Sequence, residues 1–491
     1  MLQLAPASAA TLAVVAVFVY WVLRAFYNVY LHPLKAFPGP WLARASVLWH
    51  SYHSLRGDLQ YALHQMHLKY GPTIRIAPDE LIFVDAKAWK DIYGHRSGTP
   101  EYIKDPSLVF TADAGPSLFS VHKGDHSKLR RLLSHGFSDK ALREQETVIS
   151  GYANLLVDRL RQFCDNPVDV AAWYNYLAFD VIGHLLFAES FNCLSRSDYH
   201  PWVKFIFSTM RVISWNRSFN RLAPRISQFL IKLVPQKVVD EGNALLEMTR
   251  AKLHRRIEAK LQYTDLMENL LVAQKQGKIT MDEVFNNATP LIVAGSETTA
   301  TALSGATYFL NQNPEVYQKL KTEVRSAFTH RSEITISKAA GLRYLAAVID
   351  ETMRLYPPSP TSHPRLVTPE GGIIAGYFVP GNTLVGISQY SAFRSPHNFA
   401  WPDEFAPERF VDSNQLAWAG DKRDVLQPFL FGPRNCIGRN LALIEMRLVL
   451  ALVVFEFDIE VLPESRNWIR QKLFTTWERP SLMVRMTPVA R

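Results

Sequence analysis

The segment Phe429-Leu-Phe-Gly-Pro-Arg-Asn-Cys-Ile-Gly438 constrains this chain more than any other stretch. It is a glycine-punctuated loop that presents one thiol, Cys436, and an apolar run from Asn440 to Phe455 with a helical pattern follows at once. Gly432 and Gly438 permit tight turns, so amides after the cysteine can donate to its sulfur and hold down its basicity. The positive end of the following helix dipole adds to this. A thiolate presented in this way is a metal ligand, and on haem iron it pushes electron density that favours O–O cleavage.

The chain has 491 residues, 48% of them apolar, which is enough for a large core. Cys164, Cys193 and Cys436 form no CxxC pair or zinc-type cluster, and so few cysteines suggest a reducing compartment. The formal charge of +9 suits nucleic acid, anionic lipid or an acidic protein. No segment resembles a nucleic-acid module, so lipid and a protein partner are the expectation. Met1 to Leu23 carries no charged side chain, Arg24 ends the run, and Tyr20, Trp21, Tyr27 and Tyr30 stand as interfacial aromatics. A cleaved signal peptide would need a basic n-region, which is missing here, and the positive charges after the span place the bulk of the chain on the cytosolic side. Residues 1–31 are therefore read as a membrane anchor. The three prolines of His32 to Pro40 make 32–40 a stiff hinge, and 41–491 form the catalytic globule.

Within the globule, Thr73 to Pro78 and Glu80 to Val84 read as short strands. Helices are expected over Asp139 to Cys164, Val170 to Phe187, Ala244 to Gln274, Met281 to Asn311, Pro314 to Thr329 and Leu342 to Leu355. Further short strands are expected within Leu366 to Val385, Phe455 to Val461 and Leu482 to Met486. The fold class is mainly α, a helix-rich globule with small peripheral β-sheets plus an N-terminal transmembrane helix. No glycine-rich dinucleotide fingerprint follows a strand, so electrons for any redox chemistry come from another protein. Arg211 to Lys237 interleaves six basic residues with aromatics, either a membrane-lying surface or an ordinary amphipathic helix. Asn216-Arg-Ser218 has the glycosylation spacing, unused on a cytosolic side.

Ala294-Gly-Ser-Glu-Thr-Thr299 places an acid and a hydroxyl, Glu297 and Thr298, beside a glycine that lets a small molecule approach the backbone. Such a pair suits proton relay. Pro290 lies just upstream, where it predicts a kink, an interruption, or the true helix start. Glu351 and Arg354 share a helix face. Arg130, Arg365 and Arg434 are candidates to hold carboxylates through their forked donors. His184, His363 and His397 lack metal spacing and read as packed side chains.

Together these segments resemble the cytochrome P-450 superfamily. The Cys436 loop is similar to its haem-binding signature, including Phe429 and Gly438; Ala294 to Thr299 to its oxygen-activating motif; and His32 to Pro40 to its proline-rich hinge. Glu351 and Arg354, with Pro407-Glu-Arg409-Phe410, resemble its Glu-x-x-Arg helix and Pro-Glu-Arg partner, which implies a buried structural network of Glu351, Arg354 and Arg409. Asp125 to Arg130 resembles its Trp-x-x-x-Arg helix with His126 in place of tryptophan, which implies His126 and Arg130 as donors to haem propionates. The resemblance spans the chain from anchor and hinge to Trp477-Glu-Arg-Pro480, and the wording of Gln427 to Ala442 and Tyr390 to Pro396 is similar to fungal secondary-metabolism members of the trichothecene hydroxylase type.

The resemblance implies haem b, a monooxygenase using O2 with Glu297 and Thr298 assisting protonation, and electrons from an NADPH-cytochrome P-450 reductase, with cytochrome b5 as a second donor. It also implies endoplasmic-reticulum residence, single-pass, and a lipophilic terpenoid or polyketide substrate. That substrate would contact Leu108 to Val121, Phe205 to Ile213, Ala294, Ser359 to His363 and Phe474 to Trp477. Rival readings are a haem-thiolate isomerase or dehydratase, and a non-catalytic haem-binding protein.

Overall fold

The computed structural model describes residues 6–96, 98, 100–108, 115–121, 123–223, 236–259, 265–411 and 416–490. Seven helices matter most for the site: α1 (Pro6–Phe26), α2 (Lys123–Ser134), α3 (Val170–Phe187), α4 (Pro201–Leu222), α5 (Met281–Gln312), α6 (Arg343–Leu355) and α7 (Arg439–Glu456). α3 is apolar almost all round, so it has no face for water and lies in the core along α5. α5 begins at a capping box, with Glu283 N donating to Thr280 Oγ1 at 3.1 Å and Thr280 N donating to Glu283 Oε2 at 2.8 Å. This fixes the start of α5 well before Pro290. The helix also runs through Pro290 without a break, contrary to the expected interruption. Burial of Leu291, Ile292 and most residues from Ser296 to Leu310 outweighs the roughly 3 kcal/mol that an internal proline costs.

Two other helix expectations need correction. Asp139 to Cys164 divides at Gln145 into Asp139–Glu144 and Glu146–Phe163, and the Gln145 side chain turns inward to donate to Gly136 O at 3.4 Å. Ala244 to Gln274 is likewise two helices, Gln236–Glu258 and Glu268–Lys275, with 260–264 outside the described residues. Asp265 caps the second, accepting from the amides of Met267 (3.0 Å) and Glu268 (2.8 Å).

The largest sheet is built from β1 (Thr73–Ala77), β2 (Glu80–Phe83), β3 (Ile103–Lys104), β4 (Arg365–Leu366) and β5 (Leu384–Ile387), in the order β1-β2-β5-β4-β3. Its pairs are antiparallel except β2 with β5. Among the described residues, two two-stranded sheets and one three-stranded sheet make up the rest of the β-structure. One of them is the hairpin of β6 (Leu473–Phe474) and β7 (Thr476–Trp477). The molecule is thus mainly helical with small sheets.

At the N-terminus, the apolar helical stretch Ala10–Leu31 is 22 residues long, has mean hydropathy 1.8 and is exposed up to Tyr27 but for Ala25, so it is long and apolar enough to cross a membrane. The end of this stretch, at Asn28 and Val29, is held against the globule. Arg75, itself fully buried, donates from Nη1 to Asn28 O at 2.8 Å and from Nε and Nη2 to Pro78 O, while Arg44 donates to Val29 O at 2.9 Å. The basic stretch at the end of α4 is tied down by carboxylates. Arg211 pairs with Glu478 at the surface, while Arg217 with Asp105 (3.3 Å) and Arg221 with Glu80 (2.6 Å) turn toward the protein. Ser218 of the glycosylation triplet is buried and donates to Ser54 Oγ at 2.9 Å.

Candidate active site

The Cys436 loop is held from both sides. Cys436 N donates to Phe429 O at 2.8 Å, and a short 3₁₀ turn, Gly432–Arg434, sits between them. Gly432 has φ 77°, and a Cβ there would lie 1.9 Å from Tyr93 O, so no other residue fits. Gly438, the residue before α7, donates its amide to the Cys436 sulfur, as expected from sequence. Arg130 of α2 clasps Asn435 at both its carbonyl (2.7 Å) and its Oδ1 (2.5 Å). Arg439 lies over the Phe429 ring at 5.9 Å. Burial pushes the Cys436 thiol up, while the Gly438 amide, Arg130 and Arg439 pull it down without overcoming burial. The loop therefore orients the sulfur, and a metal bound there would hold it as the thiolate.

Opposite the loop stands α5. Ala294 is accessible and Thr298 partly so, one turn apart, although Ser296, Glu297, Thr299 and Ala300 around them are buried. Cys436 is accessible too, in a loop that is half-buried from Phe429 to Gly438. The accessible stripe on the otherwise buried α5 and the accessible thiol are read as two walls of a cavity. The segment 115–121 ties its two walls together: Leu118 N donates to Asn287 Oδ1 of α5 at 2.8 Å, and Arg434 Nη1 donates to Val121 O at 3.2 Å. Thr298 donates its hydroxyl proton to Ala294 O at 2.7 Å, which leaves its lone pairs to accept from the cavity side. Gly295 has a packing role rather than the expected one, because a Cβ there would lie 2.9 Å from Ile182 of α3.

Glu297 is buried and turned toward the C-terminal hairpin, where it accepts from Arg479 at 2.6 Å. Burial pushes its carboxyl up and Arg479 opposes this. Sequence reading missed Arg479, which is 182 residues away from its partner.

A cluster of cations lines the rim near Arg434. Burial, then Arg365 and Arg434, push Lys104 of β3 down to about 7, and it donates to Phe119 O at 2.6 Å. Burial, then Arg434 and Arg130, push His126 down to about 4, so this imidazole is neutral. Burial first, and then Arg434, lower Arg365, whose guanidinium stacks on Tyr93 at 5.3 Å. Glu101 is the carboxylate in hydrogen-bond contact with the cluster, accepting from Arg434 Nε at 2.5 Å. Lys104, Glu101 and Asn435 were invisible to sequence reading because their partners lie far along the chain. This surplus of positive charge fits a ligand carrying carboxylates, and the single loop thiol fits one axial bond to iron, so the donor set suits haem.

Beneath the loop, Glu351, Arg354 and Arg409 form the expected buried network, every side chain fully inaccessible. Glu351 accepts from Arg354 Nε (2.6 Å) and Nη2 (2.8 Å), Arg409 Nε (3.1 Å) and Ala406 N (2.8 Å). Asp421 completes it on Arg409 at 2.5 Å, a partner that sequence reading missed. His184 bonds Tyr152 and His363 bonds Ser359, as packed side chains do. The expected cavity stretches Leu108 to Val121 and Phe205 to Ile213 lie partly outside the described residues.

A helical globule with one loop thiol facing a central helix, ringed by cations, defines a haem-thiolate protein. The family described as Cytochrome P450 matches residues 37–484, and the chain belongs to it. It is 42% identical over 473 residues to the cytochrome P450 monooxygenase astA of Talaromyces wortmannii, covering 96% of this chain and 95% of that protein. It is 43% identical over 475 residues to the cytochrome P450 monooxygenase cpaH of Aspergillus oryzae (96% and 92%). With the trichothecene C-15 hydroxylase of Fusarium sporotrichioides it shares 40% identity over 478 residues (96% and 96%). The protein is thus a haem-thiolate monooxygenase, an oxidoreductase whose cofactor is haem b and which uses O2, a redox partner and a small-molecule substrate.

Proposed function

We propose that this chain hydroxylates a lipophilic terpenoid or polyketide intermediate of fungal secondary metabolism. The observation that carries the reading is the Ala294/Thr298 stripe, with an acid as the immediate neighbour and a hydroxyl whose proton is already committed to the helix. Haem, when bound, supplies oxygen activation.

Cys436 holds the iron; Arg130, Arg365, Arg434 and His126, joined by Lys104, hold the propionates; Phe429 and Gly438 shape the loop. Thr298 accepts a hydrogen bond from a water in the cavity, and Glu297 passes protons toward it. Glu351, Arg354 and Arg409 are structural. The apolar and aromatic residues expected around the cavity suit a substrate with few polar groups, and the trichothecene hydroxylase among the relatives points the same way.

Electrons come from NADPH through a cytochrome P-450 reductase, with cytochrome b5 as a second donor, and the +9 charge suits an acidic partner. Residues 1–31 anchor the chain once in the endoplasmic-reticulum membrane, 32–40 are the hinge, and 41–491 form the cytosolic catalytic domain. The test is co-expression with such a reductase and an unbiased screen for oxygenated products. NADPH-dependent oxygen uptake with a hydroxylated product supports the reading; an isomerised or dehydrated product without oxygen uptake overturns it.

A further inference from the structure

The tetrapeptide Trp477-Glu-Arg-Pro480 carries a family resemblance but no task in the reading above. In the structure each of its residues holds a different element. Trp477 Nε1 donates to Pro357 O at 2.8 Å, Glu478 pairs with Arg211 of α4, and Pro480 O accepts from Trp468 Nε1 at 2.9 Å. Arg479 reaches the middle of α5. Its Nη2 donates both to Glu297 Oε1 at 2.6 Å and to Asn175 Oδ1 of α3 at 3.0 Å. The two charged side chains are only 4% and 5% exposed.

Three buried atoms of this pair have no partner among the described residues: Glu297 Oε2, Arg479 Nε and Arg479 Nη1. A buried donor or acceptor left bare is destabilising, so each calls for a partner. Glu297 Oε2 as acceptor, with whichever of the two free Arg479 donors faces it, is the complement of a water molecule, which accepts and donates; Nε and Nη1 point to different sides of the guanidinium, so the other donor takes a second partner. Asn175 continues outward from the pair, donating from Nδ2 to Tyr199 Oη at 3.0 Å, and Tyr199 is itself only half-buried.

We infer that Arg479 is the positioning residue for Glu297, and that the pair holds an internal water through which Glu297 regains its proton from the Tyr199 side. The inference rests on the relay role proposed for Glu297. The protons balance: Glu297 as the acid gives its proton toward Thr298, and Arg479 stabilises the carboxylate left behind. The internal water passes one proton to that carboxylate while accepting one from solvent, so no charge accumulates and no electrons move. Without Arg479, a carboxylate at this depth has no cation and exists only as the protonated acid.

The test uses the full-length haem-loaded protein with reductase and NADPH and no added substrate. It reads the peroxide released per NADPH and the ratio of rates in H2O and D2O. Infrared spectroscopy with ¹³C-labelled glutamate reads the Glu297 carboxyl directly, its band assigned by its loss in Glu297→Gln. Arg479→Gln is expected to raise the peroxide share about tenfold, a part of what general acid catalysis contributes, to enlarge the D2O effect, and to convert Glu297 to the acid. Arg479→Lys should restore part of each. If Glu297→Gln raises the peroxide share while Arg479→Gln leaves it and the infrared band at wild-type values, the inference is overturned and the role of Glu297 stands. If neither substitution moves the peroxide share, the relay reading itself fails and the inference falls with it. Should Arg479→Gln not load haem, Asn175→Asp, which sets a second carboxylate on the same Nη2, decides: a raised peroxide share supports the inference and wild-type behaviour overturns it.

Discussion

Glu351→Gln tests how dry the network beneath the Cys436 loop is. Glu351 accepts four hydrogen bonds, three of them from guanidinium groups, and no member of the network is accessible to solvent. The amide keeps the shape but removes the charge, so Arg409 keeps Asp421 while Arg354 is left buried with only the carbonyls of Phe393, Pro402 and Glu404. Breaking a buried ion pair by neutralising one partner costs about 3–5 kcal/mol, a large part of the roughly 5–15 kcal/mol that holds a domain together. The surface pair Arg485 with Glu460, at 57% and 66% exposure, is the internal control, and Glu460→Gln should cost no more than about 1 kcal/mol. Denaturant midpoints at constant m-value measure both, and the carbon monoxide difference spectrum reports haem per polypeptide. We expect Glu351→Gln to unfold at much lower denaturant and to be recovered nearly free of haem. A cost equal to that of Glu460→Gln, with full haem content, would refute the reasoning, since it would mean that water reaches the network.

Thr298→Ala should retain the thiolate-haem spectrum and release more of its reducing equivalents as peroxide; unchanged coupling of NADPH to product would contradict its hydrogen-bonding role. Arg130→Ala loses both contacts to Asn435 as well as a cation of the rim, so haem transfer to apomyoglobin should speed up by about a hundredfold or more if each bond of a charged group counts about 1.5–3 kcal/mol; an unchanged transfer rate would argue against it. His126 has a folded pKa near 4 against an ordinary 6.5. Between those values the unfolded chain binds a proton that the folded one does not, so stability rises with pH across the window. That contribution is complete above about 6.5 and is lost as pH falls toward 4; His126→Gln should flatten the slope of unfolding free energy there, and an unaltered slope would show that other groups set it.

What could be read from sequence was whatever is local. Cys436 with its glycines, and Glu351 with Arg354 three residues on, sit in patterns whose spacing already states the geometry, and α3 announces itself by a mostly apolar run broken only by Asn175, Asp180 and His184 among strongly polar residues. The partners supplied by tertiary folding could not be read. Arg479 meets Glu297 across 182 residues and Glu101 meets Arg434 across 333, and neither pair leaves a mark on its own segment. Gly295 was legible as a glycine, but only the packing of Ile182 explains why. Pro290 misled because propensity is local whereas burial of the whole of α5 is not. The same imbalance appears at the sulfur, where the loop's expected pull toward the thiolate is real but weaker than the cost of burial.

The most direct measurement of the central claim is the carbon monoxide difference spectrum of the reduced full-length protein beside that of Cys436→Ser. Wild type should give the red-shifted Soret band of thiolate-ligated haem, and the serine variant should lose that band while remaining folded. A thiolate-type band that survives the loss of Cys436, or its absence from well-folded wild-type protein loaded with haem, would contradict the account.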